Sequence, residues 1–152
     1  MNPNSTTKEI AKSGVFKIVE MLKVGENDVD ALIDVSMVLS KKYGDKSTLT
    51  KSTIEKYFNR SGSISFIAIY QHEIIGYIIG IPIEKLSREP WARKDVNFGK
   101  SNTLYTYAFV IKETFFGNGY ARMLKKVFLS NIRKRENLNF IIPELFLIIF
   151  NL

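Results

Sequence analysis

The chain of 152 residues contains no cysteine, a single histidine and one tryptophan. Without cysteine there are no disulfides and no thiolate zinc sites, which fits an intracellular, cytoplasmic protein, and no metal is expected. The first residues, MNPNSTTKEIAKSG, lack the apolar stretch of a secretory signal. Long hydrophobic runs are also missing. The most apolar segment, FIIPELFLIIF (Phe140–Phe150), is interrupted by Pro143 and Glu144 and is too short to span a bilayer. It reads instead as a buried strand, and a membrane is not an expected partner. Neither an internal repeat nor a low-complexity linker divides the chain.

What is present describes one ordinary domain. The length supports a single full core, and 45% apolar with 24% charged residues is normal for a globular protein. Residues 1–13 are polar and read as a flexible N-terminal tail, leaving 14–152 as one domain. The net charge of +7 is uneven: between Lys112 and Glu136 seven basic residues face two acidic ones, so this stretch carries +5. A basic field on one helix suits an anionic partner. No nucleic-acid recognition module accompanies it, so nucleic acid is not the expected partner.

Local patterns place the elements. VFKIVEML (Val15–Leu22) reads as a strand. Asn27 as N-cap, apolar periodicity from Val29 to Leu39 and a stop at Gly44 predict a helix over 28–43. Ser52 and Glu55 form a capping-box pattern for a short second helix. SISFIAIYQHEIIGYIIGIP (Ser63–Pro82) reads as a hairpin turning at Gln71–Glu73, and TLYTYAFVIK (Thr103–Lys112) as a further strand. After Gly119, the spacing of Leu124, Val127, Phe128 and Ile132 predicts an amphipathic helix. The resulting order, β-α-α-β-β-β-α-β, predicts an α/β (α+β) domain with a mixed sheet.

The chemistry is written in VIKETFFGNGYARML (Val110–Leu124). A strand runs through a glycine turn into a helix without an acidic residue in its first turn. The first N–H groups of a helix lack intrahelical acceptors and sit at the positive end of its dipole, so this junction suits a phosphate. Gly-x-x-x-x-Gly-Lys-Ser/Thr is absent, and Arg122 stands where a dinucleotide fingerprint needs glycine or alanine. FGNGYA does satisfy the second half of Arg/Gln-x-x-Gly-x-Gly/Ala, at Gly119 and Ala121.

That motif resembles the acyl-CoA loop of the GCN5-related N-acetyltransferase (GNAT) superfamily. FKIVEMLKVGENDVDALIDV is similar to the family's first strand and helix, and FIAIYQHEIIGYIIG to its second and third strands. LYTYAFVIKETFFGNGYARMLKKVFL is similar to the acyl-CoA-binding strand, loop and helix. The resemblance covers residues 14–140 and implies a mostly antiparallel mixed sheet flanked by helices. It implies an N-acyltransferase that uses acyl-CoA, expected to be acetyl-CoA, and a primary amine of a small molecule or peptide by direct transfer. The backbone of Phe109, Val110 and Ile111 would follow the pantetheine arm. Amides of Phe116, Gly117, Asn118, Gly119, Tyr120 and Ala121, with Arg122, would hold the pyrophosphate. Lys112, Lys125 or Lys126 would reach outer phosphates.

The chain departs from that pattern in three ways. Phe116 replaces the loop's usual Arg or Gln. Tyr107 and Ala108 occupy the strand positions where relatives often carry a catalytic glutamate, which leaves Tyr105 and Tyr107, on one face by the two-residue period, as candidate catalytic groups. Lastly, the family usually continues past its fifth strand with a helix, often bearing a tyrosine that protonates the thiolate, and two more strands. The expectation is therefore a GNAT-like fold truncated after the fifth strand, with a sheet edge open to homodimerisation. A non-catalytic or decayed acyl-CoA-binding module is the alternative. His72 and Glu113 read as solvated. The long loop after the hairpin carries Trp91 and Phe98 as candidate acceptor-pocket residues, while its Arg88, Arg93 and Lys94 disfavour a polycationic acceptor.

Overall fold

A computed structural model describes residues 1–142. Six strands form one sheet in the order β1 (Thr6–Ser13), β2 (Phe16–Lys23), β3 (Ile64–Tyr70), β4 (Glu73–Pro82), β5 (Thr103–Ile111) and β6 (Phe140–Ile142). Neighbours pair antiparallel except β5 and β6, which are parallel. Helices α1 (Glu26–Tyr43) and α2 (Lys51–Tyr57) follow β2, the short α3 (Pro90–Lys94) lies between β4 and β5, and α4 (Tyr120–Arg133) follows β5. The expected mixed α+β fold is present. Beyond Ile142 the expected last strand, and with it the proposed dimer edge, lies outside the described residues.

The sheet separates two apolar layers. Val29, Leu32, Val35 and Leu39 of α1 and Ile54 of α2 pack with Val19, Ile67, Tyr77, Ile79 and Val110 on one face. Leu124, Phe128 and Ile132, four residues apart on α4, pack with Phe66, Ile78, Leu104 and Phe109 on the other. Ser36, buried in the first layer, is satisfied: its hydroxyl donates to the Ile33 carbonyl (2.6 Å) and accepts from the Leu49 N–H (2.8 Å). The hairpin turns where expected, with Gln71 and His72 both at positive φ. Among the described residues no helix is long and apolar enough to cross a membrane.

Three local expectations are corrected. Residues 6–13, read as a polar tail, form edge strand β1 against β2. Its side chains are largely exposed on both faces, so backbone pairing rather than apolar alternation holds it. The chain before it is also engaged: the carbonyls of Asn2 and Pro3 accept from the N–H groups of Glu26 and Asn27, at 2.9 and 3.0 Å. Helix α1 thus starts at Glu26, with Gly25 as N-cap, and Asn27 is not its cap; the Asn27 Oδ1 accepts from Ser5 instead. Ahead of α2, the capping box is Thr50 with Thr53, not Ser52 with Glu55.

Candidate functional site

Strand β5 is straight in sequence but bulged in structure. Ile79 of β4 is opposite Ala108 and Gly80 is opposite Thr106, so Tyr107 is the extra residue. A bulge re-aims the side chains around it. Tyr107 and Ala108 consequently both pack toward the α1–α2 layer, with Val110 following, while Leu104, Phe109 and Ile111 face α4. The two-residue period that aligned Tyr105 with Tyr107 would also have aligned them with Phe109; the bulge ends that alignment.

An aromatic cluster surrounds the bulge. The rings of Tyr57 (α2) and Tyr107 stack with centroids 4.4 Å apart, and Trp91 (α3) lies 5.0 Å from Tyr105. Burial, then the hydrogen bond and proximity to Tyr57, then the nearby Tyr105 and Glu89, push the Tyr107 hydroxyl above the ordinary phenol range. At neutral pH it is a proton donor and not a phenolate base. Glu89 was not singled out by the sequence; the α3 turn brings this carboxylate within electrostatic reach of Tyr107. Phe98, expected beside Trp91, is half-buried in the loop that leads to β5.

Tyr77 of β4 is fully buried, edge-on to Phe58 at 5.4 Å, and its hydroxyl has no hydrogen-bond partner among the described residues. Burial raises its pKa, as does Tyr107. A buried orphan hydroxyl costs free energy that a phenyl ring avoids. Tyr77→Phe should therefore stabilise the chain by about 1–2 kcal/mol, read as a higher denaturant midpoint at unchanged m. A lower midpoint would show that the hydroxyl is satisfied in the folded protein.

Beyond Ile111 the chain makes the turn to α4. Lys112 donates its N–H to the Ile75 carbonyl (2.8 Å), and its ammonium is held by Asp34 (2.7 Å) and Glu73 (3.2 Å). Partial burial alone would lower its pKa, yet these two carboxylates hold it above the usual lysine value. Lys112 therefore braces α1 against the hairpin, contrary to the expectation that it reaches outward to a phosphate. Glu113–Phe115 form a 3-10 turn, and Phe116 donates its N–H to the Glu113 carbonyl (3.0 Å). That amide is occupied, which removes Phe116 from the expected cradle.

The six amides that follow are different. Gly117, Asn118, Gly119, Tyr120, Ala121 and Arg122 donate to no acceptor among the described residues. Gly117 (φ 83°) and Gly119 (φ 80°, ψ 1°) are both left-handed, and an added Cβ at either would meet nothing within 4 Å. Glycine is required there for backbone conformation and not for space. The first turn of α4 has no acidic residue and its N-cap no side-chain partner. Stacking of Tyr120 on Phe16 (4.3 Å), with Tyr70 leaning on Phe115 and Tyr120, holds the start of the helix. Toward the start of α4, Arg122, Lys125 and Lys126 have no carboxylate partner among the described residues, while Arg135, past the far end of the helix, is paired with Glu20 (3.0 Å). A fixed row of free N–H groups at the positive end of a helix is able to bind a phosphate or pyrophosphate.

No family model and no curated protein sequence matches the chain. Solved structures do. An aminoglycoside acetyltransferase from an uncultured soil metagenomic sample is 14% identical, with a TM-score of 0.61 over 87% of this chain and 78% of its own. An aminoglycoside N-acetyltransferase in complex with CoA is 14% identical, with a TM-score of 0.59 over 89% and 80%. A ribosomal-protein-alanine N-acetyltransferase from Brucella melitensis is 11% identical, with a TM-score of 0.58 over 85% and 79%. Identities this low speak for the fold, and the acceptors named for these proteins differ from one another. These matches show the fold alone: with its mostly antiparallel sheet flanked by helices, this chain has the GCN5-related N-acetyltransferase fold.

Proposed function

We propose that the chain is an acyl-CoA-dependent N-acyltransferase, with acetyl-CoA as the acyl donor and a primary amine of a small molecule or peptide as acceptor. The observation that carries this reading is the row of six unengaged amides from Gly117 to Arg122 at the acid-free start of α4. In it the pyrophosphate lies against those N–H groups, with Arg122, Lys125 and Lys126 adding positive charge. Residues Phe109, Val110 and Ile111 guide the pantetheine arm toward the bulge. There a backbone N–H of β5 polarises the thioester carbonyl.

The neutral amine attacks that carbonyl. The C–N bond forms, the C–S bond breaks, and the proton that leaves nitrogen is balanced by the one the thiolate gains. Tyr107, half-buried and protonated, is the donor at the bulge, with the buried Tyr105 beside it. An alkylammonium has a pKa near ~10.4, so the amine must be desolvated or deprotonated before attack.

A thermal-shift titration with acetyl-CoA and with CoA, followed by thiol release on the same sample, tests the reading. Both ligands should raise Tm through binding to the folded state alone, by about 2.7 kcal/mol of stabilisation at a hundredfold excess over Kd. Thiol release should appear once an acceptor amine is added. Folded protein without any shift would rule out the amide cradle; a shift without release across a broad amine panel would leave a binding module.

A further inference from the structure

The groove beside the tyrosine pair carries a charge that narrows the acceptor, and this inference rests on the acyltransferase reading above. Its volume is about 340 Å³, between the end of α2 and the turn before α3. Tyr57, whose ring stacks on Tyr107, forms part of its wall. The charged lining is Lys56, Arg60, Lys85 and Arg88 against one carboxylate, Glu89. None of the four cations has a carboxylate partner among the described residues; Lys56 lies over the Tyr57 ring, 5.1 Å from its centroid.

The turn that presents Arg88 and Glu89 is fastened. Buried Ala92 and the Trp91–Tyr105 ring contact hold α3 over β5, Glu89 donates its N–H to the Leu86 carbonyl (2.9 Å), and Arg93 donates to the Ser87 carbonyl. Four like charges on one groove repel each other and are only partly offset by the single carboxylate of Glu89. Such an arrangement repels a polycation and attracts an anion. A single carboxylate among them, in the turn nearest the tyrosine pair, is a complementary partner for an ammonium.

We propose that the acceptor is a small primary amine that also bears an anionic group, a carboxylate or a phosphate. The anion lies against Arg60, Lys85, Arg88 and Lys56, and the amine turns toward Glu89 and the Tyr57–Tyr107 pair. Aminoglycosides, the acceptors named for two of the similar structures, have the opposite charge.

Calorimetric titration of the full chain, with and without CoA, tests this with two matched pairs: tyrosine against tyramine, and phosphoethanolamine against ethanolamine. Kanamycin supplies the polycation. The anion-bearing member of at least one pair should bind about tenfold more tightly, as expected of two or three exposed charge contacts. Which pair responds identifies the anion as carboxylate or phosphate. In the Arg60→Gln/Arg88→Gln double variant, both sites being exposed, the preference should fall to about twofold with CoA binding unchanged. Equal or tighter binding of the amines that lack an anion, or of kanamycin, overturns the proposal. So does a preference that survives the double variant. Loss of CoA binding with the amine preference intact would sink the acyltransferase reading alone, so the two failures are separable.

Discussion

Gly119→Val should abolish the rise in Tm produced by CoA while costing the unliganded chain only about 1–2 kcal/mol. Gly119 sits at φ 80°, ψ 1°, where a β-branched residue is strongly disfavoured, but the space around it is open. The variant therefore has no clash to relieve and a strained backbone to relax. The cheapest relaxation turns the 119 peptide out of the left-handed region. That re-aims the N–H groups of Gly119 and Tyr120, two of the six without an acceptor. Hydrogen bonds to a charged group contribute about 1.5–3 kcal/mol each, so losing two lowers affinity by roughly a hundredfold or more. Gly44 provides the control. It has φ 86°, ends α1, and its added Cβ would also meet nothing within 4 Å. With ψ 172° it lies in a region essentially restricted to glycine, so Gly44→Val should lose at least as much stability and yet keep the full CoA response. If Gly119→Val keeps it too, the glycine turn is only a helix entry.

The sequence declared those parts of the fold in which local chemistry and burial agree. The β3–β4 hairpin has apolar runs on both sides of a turn, and α4 buries Leu124, Phe128 and Ile132 as its spacing requires. The glycine turn was legible because a positive φ demands glycine twice within three residues. What escaped depends on partners distant in the chain. Strand β1 shows no alternation because, as an exposed edge strand, it buries little on either face. The start of α1 is fixed by carbonyls of Asn2 and Pro3, more than twenty residues upstream, so Asn27 looked like a cap and is not one. At the candidate site the motif pointed to the stretch whose amides are unengaged, but the occupied N–H of Phe116 and the paired ammonium of Lys112 depend on the turn and on Asp34 and Glu73. The bulge at Tyr107 leaves no mark that a period-two reading can detect. The basic groove joins residues 56–60 to 85–89, and only the loop half, Arg88, was read as charge relevant to an acceptor.

The largest loss of stability is expected from Gly76→Val. Gly76 of β4 is opposite Ile111 at the end of β5, one step before the turn that carries the unengaged amides. An added Cβ there would approach the Val110 carbonyl oxygen to 2.6 Å and the Ile111 side chain more closely still. The Ile111 side chain can change rotamer; the Val110 carbonyl belongs to the backbone of β5 and cannot yield without moving the strand. Gly76 is not at positive φ, so close approach alone explains the glycine. Gly80 has a different limit, since its added Cβ would meet the Leu104 and Phe128 side chains, which are able to repack. Overpacking of this kind costs typically 1–3 kcal/mol and more where backbone must shift. We expect on the order of 3 kcal/mol for Gly76→Val, which at this chain length lowers Tm by about 6–12 °C. Gly76→Ala should fall part of the way, and Gly80→Ala should cost less than Gly76→Ala. In whatever fraction of Gly76→Ala remains folded, the displaced end of β5 should weaken CoA binding without any change to the loop sequence. A Gly76→Ala protein of undiminished Tm would mean that β4 and β5 are farther apart than the register implies, and that the position of β5, the proposed pantetheine strand, is not set by this glycine.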